Sequence, residues 1–172
     1  MFNNSIARNF VIISFFSILI TRLIPHPPNF TATIAIAFYL PALFGVKYFV
    51  VALTAFILSD ILIGLHNLVL FTWGSVLLIG LFSKYLQGCY FRILGVSASC
   101  LIFFLVSNFG VWFVTETYAN DLSGFISCYV MALPFLKNTL ISSLVISIFI
   151  ESLVLMKLSK TYISKINSNF TY

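Results

Sequence analysis

Within Arg22-Leu23-Ile24-Pro25-His26-Pro27-Pro28-Asn29-Phe30-Thr31, a guanidinium, an imidazole and an amide stand among three prolines. Each proline lacks an N–H and fixes φ, so no helix continues through the segment. It reads as a stiff, extended connector. His26, between Pro25 and Pro27, has little backbone freedom, and such pre-organisation lowers the entropy cost of binding. Asp60, beside Ser59, is the carboxylate that could complement this stretch. It could hold a cationic ligand group or a proton, or it could neutralise Arg22 or Lys137 across a helix interface. His66 adds a second imidazole, but two histidines without a third ligand make no metal site, and no metal or cofactor is expected.

Further along, Asn108 and Trp112 are four residues apart, with Thr115 and Glu116 one turn on, so a helix places them on one face. They read either as the wall of a pocket, with Trp112 stacking on a planar ligand and Trp73 facing it, or as an interfacial belt residue and an interhelical hydrogen bond. Lys137 and Asn138, expected at the start of the last helix, offer a cation and an amide where a helix N-terminus already attracts anions. Cys128 reads as a small packing residue. The candidate ligand-binding set is therefore Arg22, His26, Asn29, Asp60, His66, Asn108, Trp112, Lys137 and Asn138. No H-E-x-x-H, G-x-S-x-G or Walker-type loop occurs, so no catalytic role is assigned.

The elements that must carry these residues follow from composition. Of the 172 residues, 61% are hydrophobic and 8% charged, and the mean hydropathy is +1.11. A soluble domain carries roughly 25% charged residues, so this chain cannot clothe a water-facing surface. It reads as one integral membrane domain over residues 1–172. The backbone cannot cross hydrocarbon unpaired, and the runs are continuous rather than alternating, which excludes a β-barrel.

The fold class is all-α, with about six spans near 10–24, 31–44, 46–65, 68–82, 93–114 and 138–158. Pro41 is expected to kink or end the second span. A short amphipathic helix around 122–133, ended at Leu133-Pro134, is expected to lie at the interface or re-enter the membrane before the last span. The first apolar run has no small-x-small cleavage site after it, so it reads as an uncleaved span. Cys89, Cys100 and Cys128 lack C-x-x-C spacing, which argues against a thiolate zinc site or a disulfide framework.

Charge orients the bundle. With both termini on one side, that side holds Arg8, Lys47, Lys84, Arg92, Lys157, Lys160 and Lys165, and the other holds only Arg22 and Lys137. Cations collect on the cytoplasmic side, so both termini are expected inside and the connector outside. The net charge of +5 reflects this bias and not nucleic-acid binding, since no basic block occurs. Glu151, in the inner half of the last span, is the one carboxylate away from the outer cluster.

The connector, Ser59-Asp60 with Gly64 and His66, Asn108-Phe109-Gly110-Val111-Trp112, Cys128-Tyr129 with Leu133-Pro134-Phe135, and Asn138-Thr139-Leu140 together resemble a family of uncharacterised small bacterial membrane proteins. That family looks like the S components of energy-coupling-factor transporters, the subunits that capture vitamins. The resemblance covers about residues 22–140. It implies a six-helix bundle in the bacterial inner membrane and an outward pocket under the loops after spans one, three and five. A small-molecule substrate and bilayer lipids are then its partners. It also implies either an energy-coupling membrane module or action alone; S components dock through A-x-x-x-A in their first helix, where this chain carries only Ser14 and Ser17. The alternative reading is a scaffold or assembly protein whose polar cluster knits helices together.

Overall fold

In the computed structural model, residues 4–169 are described, with side chains placed from Ser5 through Lys157 and at Ser159; the Lys160 and Lys165 side chains expected in the basic tail lie outside them. Six α-helices follow one another: α1 Asn4–Leu23, α2 Thr33–Phe44, α3 Phe49–Ile63, α4 Val69–Phe82, α5 Cys89–Val114 and α6 Leu122–Asn169. Single 3-10 turns, Val46–Tyr48 and Ser83–Tyr85, join α2 to α3 and α4 towards α5. The all-helical expectation holds.

Four helices are long and apolar enough to cross a membrane: Ser5–Leu23, Val46–Ile63, Cys89–Val114 and Leu122–Lys157. The other two are shorter. At 1.5 Å per residue, the twelve residues of α2 span about 18 Å. The sequence carries no polar stripe there, and a helix that is apolar all round is buried. Residues 33–42 of α2 are all buried, and α2 packs on each of the other five helices. Its Phe38, Tyr39 and Leu40 form the centre of the core. Gly95 of α5 passes close over this centre; a Cβ there would sit 2.4 Å from the Phe38 ring. Pro41 neither ends nor breaks α2, which continues to Phe44.

Two expectations are overturned. The segment around 122–133 is not a separate helix. It is the start of α6, which runs unbroken through Pro134 to Asn169. The Asp121 carboxylate accepts the Gly124 N–H at 2.7 Å, an N-cap contact that sets the start of the helix. One proline removes one N–H, and neighbouring helices let long membrane helices tolerate that loss.

The second correction concerns Arg92, expected in a loop. It lies in the first turn of α5 and is buried. Its Nε and Nη2 donate to the two oxygens of Glu151 at 2.7 Å each, and the Tyr39 hydroxyl donates to the same carboxylate at 2.9 Å. One fork thus ties α5, α6 and α2. Serines at the helix contacts, such as Ser59, Ser75, Ser99 and Ser147, return their hydroxyls to carbonyls of the preceding turn. Small side chains of this kind let helix backbones approach.

Removing one partner of a buried pair leaves the other charge uncompensated, at a cost of about 3–5 kcal/mol. Arg92→Met is therefore expected to lower the melting temperature sharply in detergent. Arg92→Met combined with Glu151→Leu is expected to recover most of the loss. A double variant no more stable than the single one would show that the pair does not act as a unit.

Candidate functional site

At one end of the bundle the connector between α1 and α2 closes over α3, α4, α5 and α6. Its shape follows from Pro27-Pro28-Asn29-Phe30. The Phe30 N–H donates to the Pro27 carbonyl at 2.9 Å, and Asn29 has φ 61°. This is the pattern of a type II turn, with proline preset at the second position and a residue tolerant of positive φ at the third. The turn is tethered at two places. Asn138 of α6 donates its amide to the Pro28 carbonyl at 3.0 Å. At the base, the Thr21 hydroxyl accepts the Ala32 N–H at 3.1 Å.

Beneath the connector lies an ion pair between a half-buried arginine and a buried aspartate. Arg22, in the last turn of α1, donates through Nη2 to Oδ1 of Asp60. Asp60, one turn before Gly64 ends α3, is 1% exposed. Its other oxygen, Oδ2, accepts the Trp73 indole N–H from α4 at 2.7 Å and lies 4.0 Å from His66 Nε2. His66 Nδ1 accepts the Leu68 N–H at 3.1 Å, so the ring proton sits on Nε2, facing Asp60. Phe56, one turn before Asp60 on the same face, carries the Arg22 guanidinium 4.2 Å above its ring centroid. Of the two pairings open in the sequence, Asp60 takes Arg22.

Two cavities adjoin this cluster. The first, about 120 Å³, is lined by Arg22, His26, Asn29, Thr33, Phe56, Phe103 and Thr139, among others. The second, about 290 Å³, is lined by Asn29, His66, Thr72, Phe103, Ser107, Asn108 and Thr139, among others. Asn29, Phe103 and Thr139 belong to both walls. The polar groups that converge here are amide, imidazole, hydroxyl and guanidinium, between phenyl rings.

The candidate residues thus divide. Arg22, His26 and Asn29 line the first cavity, and Asn29, His66 and Asn108 the second. Asp60 lines neither and sits below them. Asn138 holds the connector in place. It does not stand at a helix N-terminus, because Lys137 and Asn138 lie well inside α6. Lys137 is exposed and lines neither cavity. Trp112 donates its indole N–H to the Ala119 carbonyl at 3.0 Å and packs edge-on against Phe125, away from both cavities. Asn108 donates to the Phe104 carbonyl one turn back at 2.7 Å. Cys128 is buried and directs its thiol to the Asn108 carbonyl at 3.5 Å. Among the described residues, no three His, Cys, Asp or Glu side chains gather as a metal centre needs.

Sequence reasoning missed Trp73 as the second donor to Asp60, together with Phe103 and Thr139 as shared walls. Trp73 was within reach of it: Asp60 and Trp73 flank the tight turn between two antiparallel helices. Phe103 and Thr139, in apolar runs of α5 and α6, carry no such signal.

These features define a class, an all-helical protein whose long apolar helices have membrane-spanning length and which holds a polar, cavity-bearing cap at one end. The chain belongs to the family described as "Family of unknown function (DUF6580)", which matches residues 3–164. No curated protein and no solved structure matches it.

Asn29 supplies a direct check on the connector. A left-handed conformation costs an ordinary L-residue roughly 1–2 kcal/mol, whereas glycine adopts it freely. Asn29→Ala is expected to lower the melting temperature measurably, and Asn29→Gly to lower it less. Equal losses would mean that the amide, and not the turn, is what Asn29 contributes.

Proposed function

We propose that this chain is a polytopic membrane protein that captures a small nutrient, vitamin-like in size, for transport, in the manner of an S component of an energy-coupling-factor transporter. The observation that carries the reading is the pair of adjoining cavities under a preformed proline turn. Their walls combine phenyl rings with a few convergent polar groups, the usual make-up of small-molecule sites. The connector is already ordered by its prolines and by Asn138, so closing it over a ligand loses little entropy. Arg22, His26, Asn29, His66 and Asn108 are the proposed contacts. Asp60 and Asn138 act through the residues they hold.

In this reading all six helices sit in the bacterial inner membrane, with both termini cytoplasmic and the connector outside. Support comes from the distribution of cations, which favours the end opposite the connector. The energising step falls to a membrane-coupling module or to the protein alone. No catalytic step is proposed.

A second reading, a scaffold or assembly protein, draws on a specific observation. The Asp60 carboxylate, the Trp112 indole and the amide N–H groups of Asn108 and Asn138 are engaged by protein partners, as in helix-knitting residues.

Mass spectrometry of small molecules that co-purify in mild detergent, followed by thermal shift against a vitamin panel, separates the two. A ligand at a hundredfold excess over its Kd stabilises by about 2.7 kcal/mol, which is expected to raise the melting temperature by several degrees. No co-purifying compound and no shift across the panel would leave the scaffold reading. For orientation, a cysteine introduced at Pro27 is expected to react with a membrane-impermeant reagent on intact cells, and one at Lys84 only after lysis. The reverse pattern would invert the topology.

A further inference from the structure

The charge state of the cavity walls narrows the ligand class. No aspartate or glutamate lines either cavity. Asp60, the nearest carboxylate, is 1% exposed and has both oxygens engaged, Oδ1 by Arg22 and Oδ2 by Trp73. A cation entering the cavity therefore finds no free carboxylate. Desolvating it there, without a partner, costs several kcal/mol.

Arg22 presents the opposite situation. Its guanidinium carries five N–H donors in a planar fork, and its only protein acceptor among the described residues is Asp60 Oδ1, bonded to Nη2. Nε is buried without a partner and is closed to a ligand as well. Nη1 has no acceptor among the described residues, so it is the part of the fork that an acceptor in the first cavity can engage. The Phe56 ring packs against the guanidinium, its centroid 4.2 Å from the central carbon. The Thr33 hydroxyl, which accepts from Thr31 and keeps its own proton, and the Asn29 amide add further donors on the same wall, whereas the Thr139 hydroxyl donates to the Phe135 carbonyl and has only acceptor capacity left.

We infer that the ligand presents an acceptor oxygen, from a carbonyl or a carboxylate, to the free edge of Arg22 and carries no positive charge. A cavity of about 150 Å³ holds a benzene ring. On that scale the first cavity, about 120 Å³, takes the acceptor group with a few carbons, and the second, about 290 Å³, takes a ring system. This inference rests on the capture reading and goes beyond it by excluding one class of nutrient.

The test sorts the panel by charge: thiamine as the cation; biotin, pantothenate and nicotinate as carboxylates; riboflavin and nicotinamide as neutral carbonyl compounds. Equilibrium binding to the purified full chain is measured for each. The expected result is binding confined to carboxylates or carbonyl compounds, with thiamine at least tenfold weaker. Binding of thiamine as tight as that of any other compound overturns the inference and leaves capture standing. Binding of none overturns capture and the inference together.

The role of Arg22 is tested with Arg22→Met/Asp60→Leu, which removes the pair without stranding a charge. The expected outcome is a folded protein whose affinity for the bound compound drops at least tenfold. A folded double variant with unchanged affinity overturns the assignment to Arg22. Should that variant not fold, Arg22→Lys keeps the charge and loses the fork, and unchanged affinity there overturns the assignment equally.

Discussion

A carboxylate with almost no exposure must be satisfied where it stands, and this requirement organises the molecule twice. Asp60 draws in Arg22 from α1 and Trp73 from α4, so α1, α3 and α4 are joined at the connector end. Glu151 draws in Arg92 from α5 and Tyr39 from α2, so α2, α5 and α6 are joined towards the opposite end. Every helix takes part in one of the two clusters. Apolar helices in lipid gain little from burying one another's surface, since lipid tails are as apolar as leucine. Breaking either pair, by contrast, costs about 3–5 kcal/mol. The charges thus decide which helices meet, and apolar packing fills in around them.

The cavities lie between these two tied groups. Phe56 comes from α3 in the first group, and Phe103 and Thr139 come from α5 and α6 in the second. The connector bridges the seam. It leaves α1, turns at Asn29, and is fastened to α6 by Asn138 before it enters α2. A proline-rich segment suits this work because its shape is fixed before any contact is made, so a single amide is enough to position it.

Much of this was legible in the sequence, and the failures have physical causes. The end of α1 and the bounds of α3 and α4 fall close to those read from the apolar runs, because a charge, a proline or a glycine ends each of them, whereas α1 starts at Asn4, six residues before its apolar run. The Arg22–Asp60 pairing was one of two alternatives, and only three-dimensional packing could choose between Arg22 and Lys137. Pro134 misled: alone it reads as a helix break, but the Asp121 cap and the apolar run beyond it outweigh one missing N–H. Arg92 misled because a cation just before the apolar run at 93–114 reads as the end of the preceding loop. The signal that could have corrected it was Glu151, since a carboxylate deep in an apolar run requires a cation at the same depth. Trp112 was assigned to a pocket from helical phase, and phase does not say what stands opposite; Lys137 was assigned from a helix start that in fact lies at Leu122.

The short central helix explains why a cavity exists at this end at all. A helix that crosses the roughly 30 Å apolar core of a bilayer needs about 20 residues, and α2 has twelve, about 18 Å of helix. Before Thr33 the chain runs as the connector, a stretch of non-helical backbone with its own polar groups. Backbone outside a helix has to find its partners in protein or in water. Thr33 and Ile34, the first residues of α2, help to line the first cavity, with Arg22 and Asn29 beside them. The shortness of α2, the polarity of the connector and the cavity beneath it are therefore one feature. Extending α2 by a turn at its start would take up residues 29–32, and with them Asn29 and Thr31 of the cavity wall.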